Sequence, residues 1–313
     1  MRRLAPLLGG VSGGFIRSKR HWRTCLVPPV KSSIITPSFR NSPWLKLCVA
    51  SVADQQGVDA EHIVQDAGSD DGTLDWLTHD PRVQAHVEKD NGMYDAVNRG
   101  MRRAGGEILA YLNCDEQYLP GALKKVSDFF ERHPGADIIF GDCIVVDARG
   151  HYLCERRPLT PRLLHIWASG NLGFLTAGMF MRRRVIDRHK LFFNPDLRDV
   201  GDAEWALRVV KAGLHTAVLP EFLSVFTETG HNLNLGAKTA KERQRFVASA
   251  PGWARLLAPC LVLHFRLRRW RAGHYRCQPH DYSIYTLDSP AGRKTFHVTN
   301  PTFRWTRPKL ASA

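Results

Sequence analysis

From residue 33 to residue 146 the chain alternates short apolar runs with segments of helical periodicity, and this alternation limits the folds open to it. Ser33–Pro37, His62–Gln65, Val83–Val87, Glu107–Leu112 and Asp137–Val146 are apolar or β-branched runs of strand length, the first stopped by its proline. Between them Ser42–Val52, the segment from Gly72 through Leu77, Asn91–Ala104 and Pro120–Arg132 place apolar residues at helical spacing. Proline stands early in the first and last of these helices, where its missing N–H costs nothing, and Gly105-Gly106 closes the third. Strands joined through single helices with short connections imply an α/β fold, a mostly parallel central sheet covered on both faces.

Beyond residue 151 the rhythm loosens. Ala177–Met181 reads as a strand, Asp202–Ala212 as a helix closed by Gly213, and Thr216–Phe226 as a strand. The tail after Cys277 reads as short strands at Tyr282–Thr286, Thr295–Val298 and Thr302–Trp305. Charge divides the chain similarly. Residues 1–53 hold nine Lys/Arg and no carboxylate, and residues 251–313 hold eleven against Asp281 and Asp288, so the net +14 belongs to the two ends. We expect a basic leader over 1–31, one α/β domain over 32–250 and a small basic extension over 251–313. Basic ends suit nucleic acid, an anionic lipid surface or a phosphorylated substrate, and a solvated tail equally well.

No apolar run approaches the ~20 residues a spanning helix requires. The nearest, Leu256–Phe265, ends in Arg266, Arg268, Arg269 and Arg271, and suits either a membrane surface or an ordinary packed helix. The start, Met1–Gly14, is too broken by glycine for a signal peptide. Seven widely spaced cysteines without a C-x-x-C pair fit a reducing compartment. A cytoplasmic protein, peripheral at the inner face of the cell membrane, is the expectation.

Acidic residues cluster where strands end. Asp66, Asp70 and Asp71 follow the second strand, and Asp115 and Glu116 follow the run 107–112. Open α/β sheets bind ligands at the carboxyl ends of strands, and carboxylates there read a base or ribose or hold a metal. The chain has no G-x-x-x-x-G-K-[ST] and no G-x-G-x-x-G after a strand, which removes the P-loop and dinucleotide readings.

Ile34–Phe39, Ile63–Thr73, Asp90–Gly100 and Gly106–Glu116, in this order and spacing, resemble family 2 glycosyltransferases; the likeness covers residues 32–230. The resemblance implies a GT-A fold, a nucleotide-binding α/β sandwich, and an inverting transfer of one sugar from a nucleotide-diphosphate donor. It implies that Pro37 and Phe39 line the nucleoside pocket, that Asp66 bonds the base, and that Asp95 sits beside the ribose and diphosphate. Asp115 matches the metal ligand of the family's D-x-D motif, with Asn113 in place of the first Asp and Glu116 as support. A divalent cation, Mg²⁺ or Mn²⁺, is implied, since such ions take their remaining ligands from phosphates and water. Asp202 matches the catalytic base and Glu204 is the second choice, although Gly201 replaces the family's usual Glu.

Each residue has a plainer reading. Asp202 could be a helix N-cap, Asp66 a turn former and Glu116 a solvated strand-end acid; Asp70 and Asp71 read as caps of the helix beginning at Gly72. Trp167, Phe174 and Phe180 suit an acceptor pocket or, better, the core. His231 is a candidate metal or phosphate contact. The acceptor is expected to be a glycan or a lipid-linked sugar in bacterial surface-polysaccharide assembly, the donor a UDP-sugar, and nucleic acid is not expected as a partner. Processive synthases of the family carry spanning helices and a Q-x-x-R-W segment; Arg266-Leu267-Arg268-Arg269-Trp270 lacks the Gln, which favours single-sugar transfer. The rivals are a sugar nucleotidyltransferase, which should carry a Gly-rich basic loop after the first strand, and a non-catalytic membrane- or nucleic-acid-binding protein using its basic ends.

Overall fold

The computed structural model describes residues 30–169, 172–198, 200–230, 242, 244 and 248–304. All of the expected leader except Val30 and Lys31, His231 and Trp305 therefore lie outside the described residues.

The strands are β1 (Ser32–Ser38), β2 (Ala60–Asp66), β3 (Gln84–Val87), β4 (Ile108–Tyr111), β5 (Glu116–Tyr118), β6 (Ile138–Asp147), β7 (Tyr152–Arg156), β8 (Met179–Arg182) and β9 (Thr216–Glu228). They form one sheet in the order β3-β2-β1-β4-β8-β6-β9-β5, with β7 paired to β6. The half β3-β2-β1-β4 is parallel, as the strand–helix alternation predicts. The other half is mixed, with β6 and β9 paired in parallel over the length of β6. Strand β8 runs antiparallel to both β4 and β6, β7 returns antiparallel on β6, and β5 lies antiparallel to β9. The short turn from β6 to β7 can join adjacent strands only antiparallel, and the short turn from β4 to β5 carries β5 away to pair with β9 instead.

Alternation along the strands builds two cores. Ile34, Ala110 and Ile139 face α1 (Ser42–Ala53) and α4 (Ala122–Arg132), packing on Cys48, Leu123 and Phe130. Their neighbours Ile35, Leu109 and Phe140 face α3 (Met93–Arg103) and α7 (Gly201–Lys211), packing on Val97, Met101 and Trp205. Gly100 lets α3 approach the sheet closely, because a Cβ there would collide with Ile35. The first strand runs past Pro37 rather than stopping at it. Its ladder with β4 ends at Ile35–Tyr111, so Pro37 pairs on one side only, with β2, and its missing N–H is tolerated.

The extension is α8 (Gly252–Leu256), α9 (Ala258–Arg271) and a hairpin of β10 (His280–Thr286) and β11 (Ser289–Val298). Tyr282, Ile284 and Val298 share a core with Ile144, Val146 and Val225, and Arg293 binds Asp54 at the end of α1 through Nε at 2.6 Å. The run around Thr302 forms a single bridge, Phe303 with Glu155, in place of the expected strand.

Candidate active site

Chain order reverses at β1: the chain moves from β1 to β2 and β3 on one side, then returns to place β4 on the other. A crevice opens at such a switch point, at the carboxyl ends of the strands. Four loops meet there, after β1, β2 and β4 and before α3, and the start of α7 closes one side.

After β1, Phe39 stands 52% exposed with the Arg40 guanidinium 5.0 Å from its ring centroid. Arg40 has positive φ, and its N–H donates to Ser69 Oγ at 2.8 Å, which ties this loop to the one after β2. Pro37 is buried within the strand and supports the loop from beneath. Asp66, fully buried at the end of β2, accepts the N–H groups of Gly68 at 2.9 Å and Ser69 at 2.7 Å, and the Ser69 hydroxyl at 2.8 Å. Its turn-forming role is thus present, and one acceptor position of its carboxylate is left over. Asp71 binds Thr73 N–H and Ser42 N–H, ordering the start of α2 (Thr73–Leu77) as expected. Asp70 does not cap the helix; it pairs with Arg40 at the surface.

Asp95 lies in the first turn of α3, where the helix dipole favours a negative charge. Burial opposes its ionisation, but the Asn91 N–H at 3.0 Å and Arg99 Nη2 at 2.9 Å outweigh burial and hold it below the usual carboxylate range. Arg198 lies over Gly92 so closely that any side chain at 92 would displace it.

Asn113, Cys114 and Asp115 form the turn after β4, and Asn41 Nδ2 reaches Cys114 Sγ at 3.0 Å across the switch point. Burial lifts the Asp115 carboxyl to about 6. Glu116 is turned inward, its Oε2 accepting Asn113 N–H at 2.9 Å, and burial together with the adjacent Asp115 charge lifts it to about 8. Glu116 therefore braces the turn, and Asp115 is the half-buried carboxylate beside the crevice.

Asp202 occupies the first turn of α7. Its N–H donates to Tyr94 Oη at 3.1 Å, and its Oδ1 accepts the Ala203 N–H at 2.8 Å. Tyr111, on β4, lies close enough that the Asp202 charge adds to burial in raising its phenol. Glu204 is held by Arg208 in a bidentate pair, Nε at 2.6 Å and Nη2 at 2.8 Å. Phe174 and Phe180 are core residues stacked on Phe140 and Tyr118, so the plainer reading holds for both, and Trp167 packs edge-on against Trp253.

The profile of glycosyl transferase family 2 matches residues 33–190, half of the chain. The chain belongs to glycosyl transferase family 2. A PGL/p-HBAD biosynthesis glycosyltransferase of Mycobacterium bovis is 35% identical over 119 residues, which is 36% of this chain and 46% of that protein. The chain thus spans about half the length of this curated relative. Among solved structures, residues 1–349 of S. aureus TarS in complex with UDP-GlcNAc superpose with a TM-score of 0.56 at 16% identity, covering 77% of this chain and 73% of that one. The mannosyltransferase PcManGT from Pyrobaculum calidifontis, in complex with GDP-Man and Mn²⁺, gives 0.52 at 17%, covering 76% and 75%. The fold of this family 2 chain is therefore GT-A.

The family's D-x-D position is compatible with a hard divalent ion. Two adjacent carboxyls raised by burial are relieved by a cation, and Asp115 and Asn113 offer oxygens of the right kind. Among the described residues no three His, Cys, Asp or Glu side chains converge, so the donor's phosphates and water would complete the ligand set. Sequence reading missed Tyr94 and Arg198. Gly201, where the family usually carries Glu, was the available signal: a Cβ at 201 would enter the Tyr94 ring.

Proposed function

We propose that this chain transfers a single sugar, with inversion, from a nucleotide-diphosphate donor, taken as a UDP-sugar, to a hydroxyl of a glycan or lipid-linked acceptor in bacterial surface-polysaccharide assembly. The observation that supports this reading is that Asp66 and Asp115 end or follow strands flanking the switch point, and Asp95 and Asp202 open α3 and α7, in a family 2 chain. Solved neighbours of the same fold hold UDP-GlcNAc and GDP-Man, which supports a nucleotide-sugar donor.

In this reading Phe39 stacks on the base and the last acceptor position of Asp66 bonds it. Asp95 and Asn113 bond the ribose side. Asp115, supported by the Glu116-braced turn, would hold the divalent cation, which when bound offsets charge on the departing diphosphate. Asp202 takes the acceptor hydroxyl's proton as that oxygen bonds to the anomeric carbon and the carbon–phosphate oxygen bond breaks; the bonding pair leaves with the diphosphate. Asp202 is preferred to Glu204 because it matches the family's base position and stands at the start of α7, near Tyr111 at the end of β4.

Heat unfolding with Mn²⁺ and UDP, GDP or dTDP in turn tests the donor site. At 100 times its dissociation constant a ligand stabilises the folded state by about 2.7 kcal/mol. A metal-dependent shift with one nucleotide, absent in Asp115→Ala, is the expected outcome. A shift of equal size without metal, or one kept by Asp115→Ala, would remove Asp115 from the cation role.

A further inference from the structure

Helix α9 packs by one face and leaves the other bare. Phe265 and Arg269 are buried on the inner face: Phe265 lies 4.8 Å from the ring of His165 on α5 (Leu163–Ser169), and the Arg269 guanidinium lies 4.2 Å over Phe265. Arg268 on the same side reaches Thr160 O. The outer face carries Cys260, Leu263, Leu267 and Trp270, spaced three, four and three residues apart, so that they form a single stripe. Leu256 and Trp253 of α8 extend it. These are large apolar side chains in the open: Leu256 is 81% exposed, Trp270 65% and Leu263 59%. A soluble surface tolerates scattered apolar residues, but a contiguous stripe of this kind marks an interaction site.

The charges beside the stripe narrow the choice of partner. Helical geometry puts Arg266 on one flank and Arg271 on the other, both exposed, with Arg255 and Arg276 exposed near the two ends. Residues 251–280 contain six arginines and no Asp or Glu. A second copy docking stripe to stripe would bring arginine flanks together with no carboxylate between them. A surface both apolar and negative fits, and long arginine stems can lie along apolar tails while their heads reach phosphates.

We propose that α8 and α9 form a docking face that seats this chain on an anionic lipid bilayer, with Trp253, Leu256, Leu263, Leu267 and Trp270 entering the acyl boundary and Arg255, Arg266 and Arg271 at the headgroup phosphates. Among the described residues no helix is long and apolar enough to cross a membrane, so the contact is with one leaflet. The inference is independent of the transfer chemistry.

The test is flotation of the purified full chain with vesicles of phosphatidylcholine alone and of phosphatidylcholine with phosphatidylglycerol. The chain should float with the anionic vesicles and stay behind with the neutral ones. Arg266→Gln with Arg271→Gln should weaken partitioning roughly thirty-fold, each arginine near a charged leaflet being worth about five-fold. Leu267→Ser with Trp270→Ser should weaken it at least about ten-fold through lost apolar burial. Both variants change exposed side chains, and their melting temperatures check that the fold is kept. Failure to float, or flotation unchanged in both variants, would overturn the proposal. So would light scattering that shows a dimer which Leu267→Ser with Trp270→Ser dissociates.

Discussion

Asp202 and Glu204 stand two residues apart on the first turn of α7, and their surroundings divide them. The Asp202 backbone is fixed by Tyr94, and its carboxylate lies near Tyr111 at the end of β4. The carboxylate of Glu204 is gripped by both nitrogen arms of Arg208, which also donates to Phe192 O at 2.7 Å. Asp202→Asn is expected to lower turnover by about 10²–10⁴-fold, the usual range for a lost general base, with nucleotide-dependent stabilisation intact. Glu204→Gln should cost about 0.5 kcal/mol of stability, as for other pairs one helical turn apart, and leave turnover within a few-fold. Comparing kcat of the two variants decides between them; equal losses would mean that the assignment to Asp202 is mistaken.

Elements carried most of what the sequence made legible. Period and turn residues located β1, β2, β4, α1, α3, α4 and α7, because each has a continuous apolar face and a clear stop. In the other half β6, β8 and β9 were legible as strands but their directions were not, and β5, three residues long, is too short for a period to show. The strand-end positions of Asp66 and Asp115 were readable because a motif sits there, and what depends on packing between elements was not. Tyr94 on α3 stacks on Phe193 at 5.4 Å, and Phe193 stacks on Trp205 of α7 at 5.2 Å. This ladder fixes the start of α7 against the start of α3, and Gly201 is the space it requires. Gly201→Glu, which restores the family's usual residue, should therefore destabilise the chain by about 1–3 kcal/mol through overpacking against Tyr94. Denaturant unfolding measures this, and a Glu accommodated without loss would show that the ladder does not set the position of α7.

At the scale of the whole molecule, buried titratable groups set the pH at which the fold is most stable. Burial holds His62 at about 3, and holds His165 and His274 at about 4 with nearby arginines contributing. These histidines are depressed relative to the unfolded chain, so the folded state binds fewer protons and stability falls as pH drops below about 6.5. Glu116 at about 8 and Asp142 at about 7 have the opposite sign. Their contribution is fully present below the unfolded carboxyl value near 4 and is lost as pH rises through 7 and 8. Asp115, at about 6, is mostly ionised by pH 6.5 and adds little beyond it. Above that point the histidines are neutral in both states, so only the two higher carboxyls still act. Between about pH 4.5 and 6 the three histidines and the three carboxyls nearly offset one another, so melting temperature without ligand should change little there and decline from about pH 6 toward pH 8.5. Glu116→Gln should flatten the alkaline decline, because glutamine can still accept the Asn113 N–H and has no proton to lose. A decline of unchanged slope in Glu116→Gln would mean that the buried brace under the Asp115 turn is not the group that titrates.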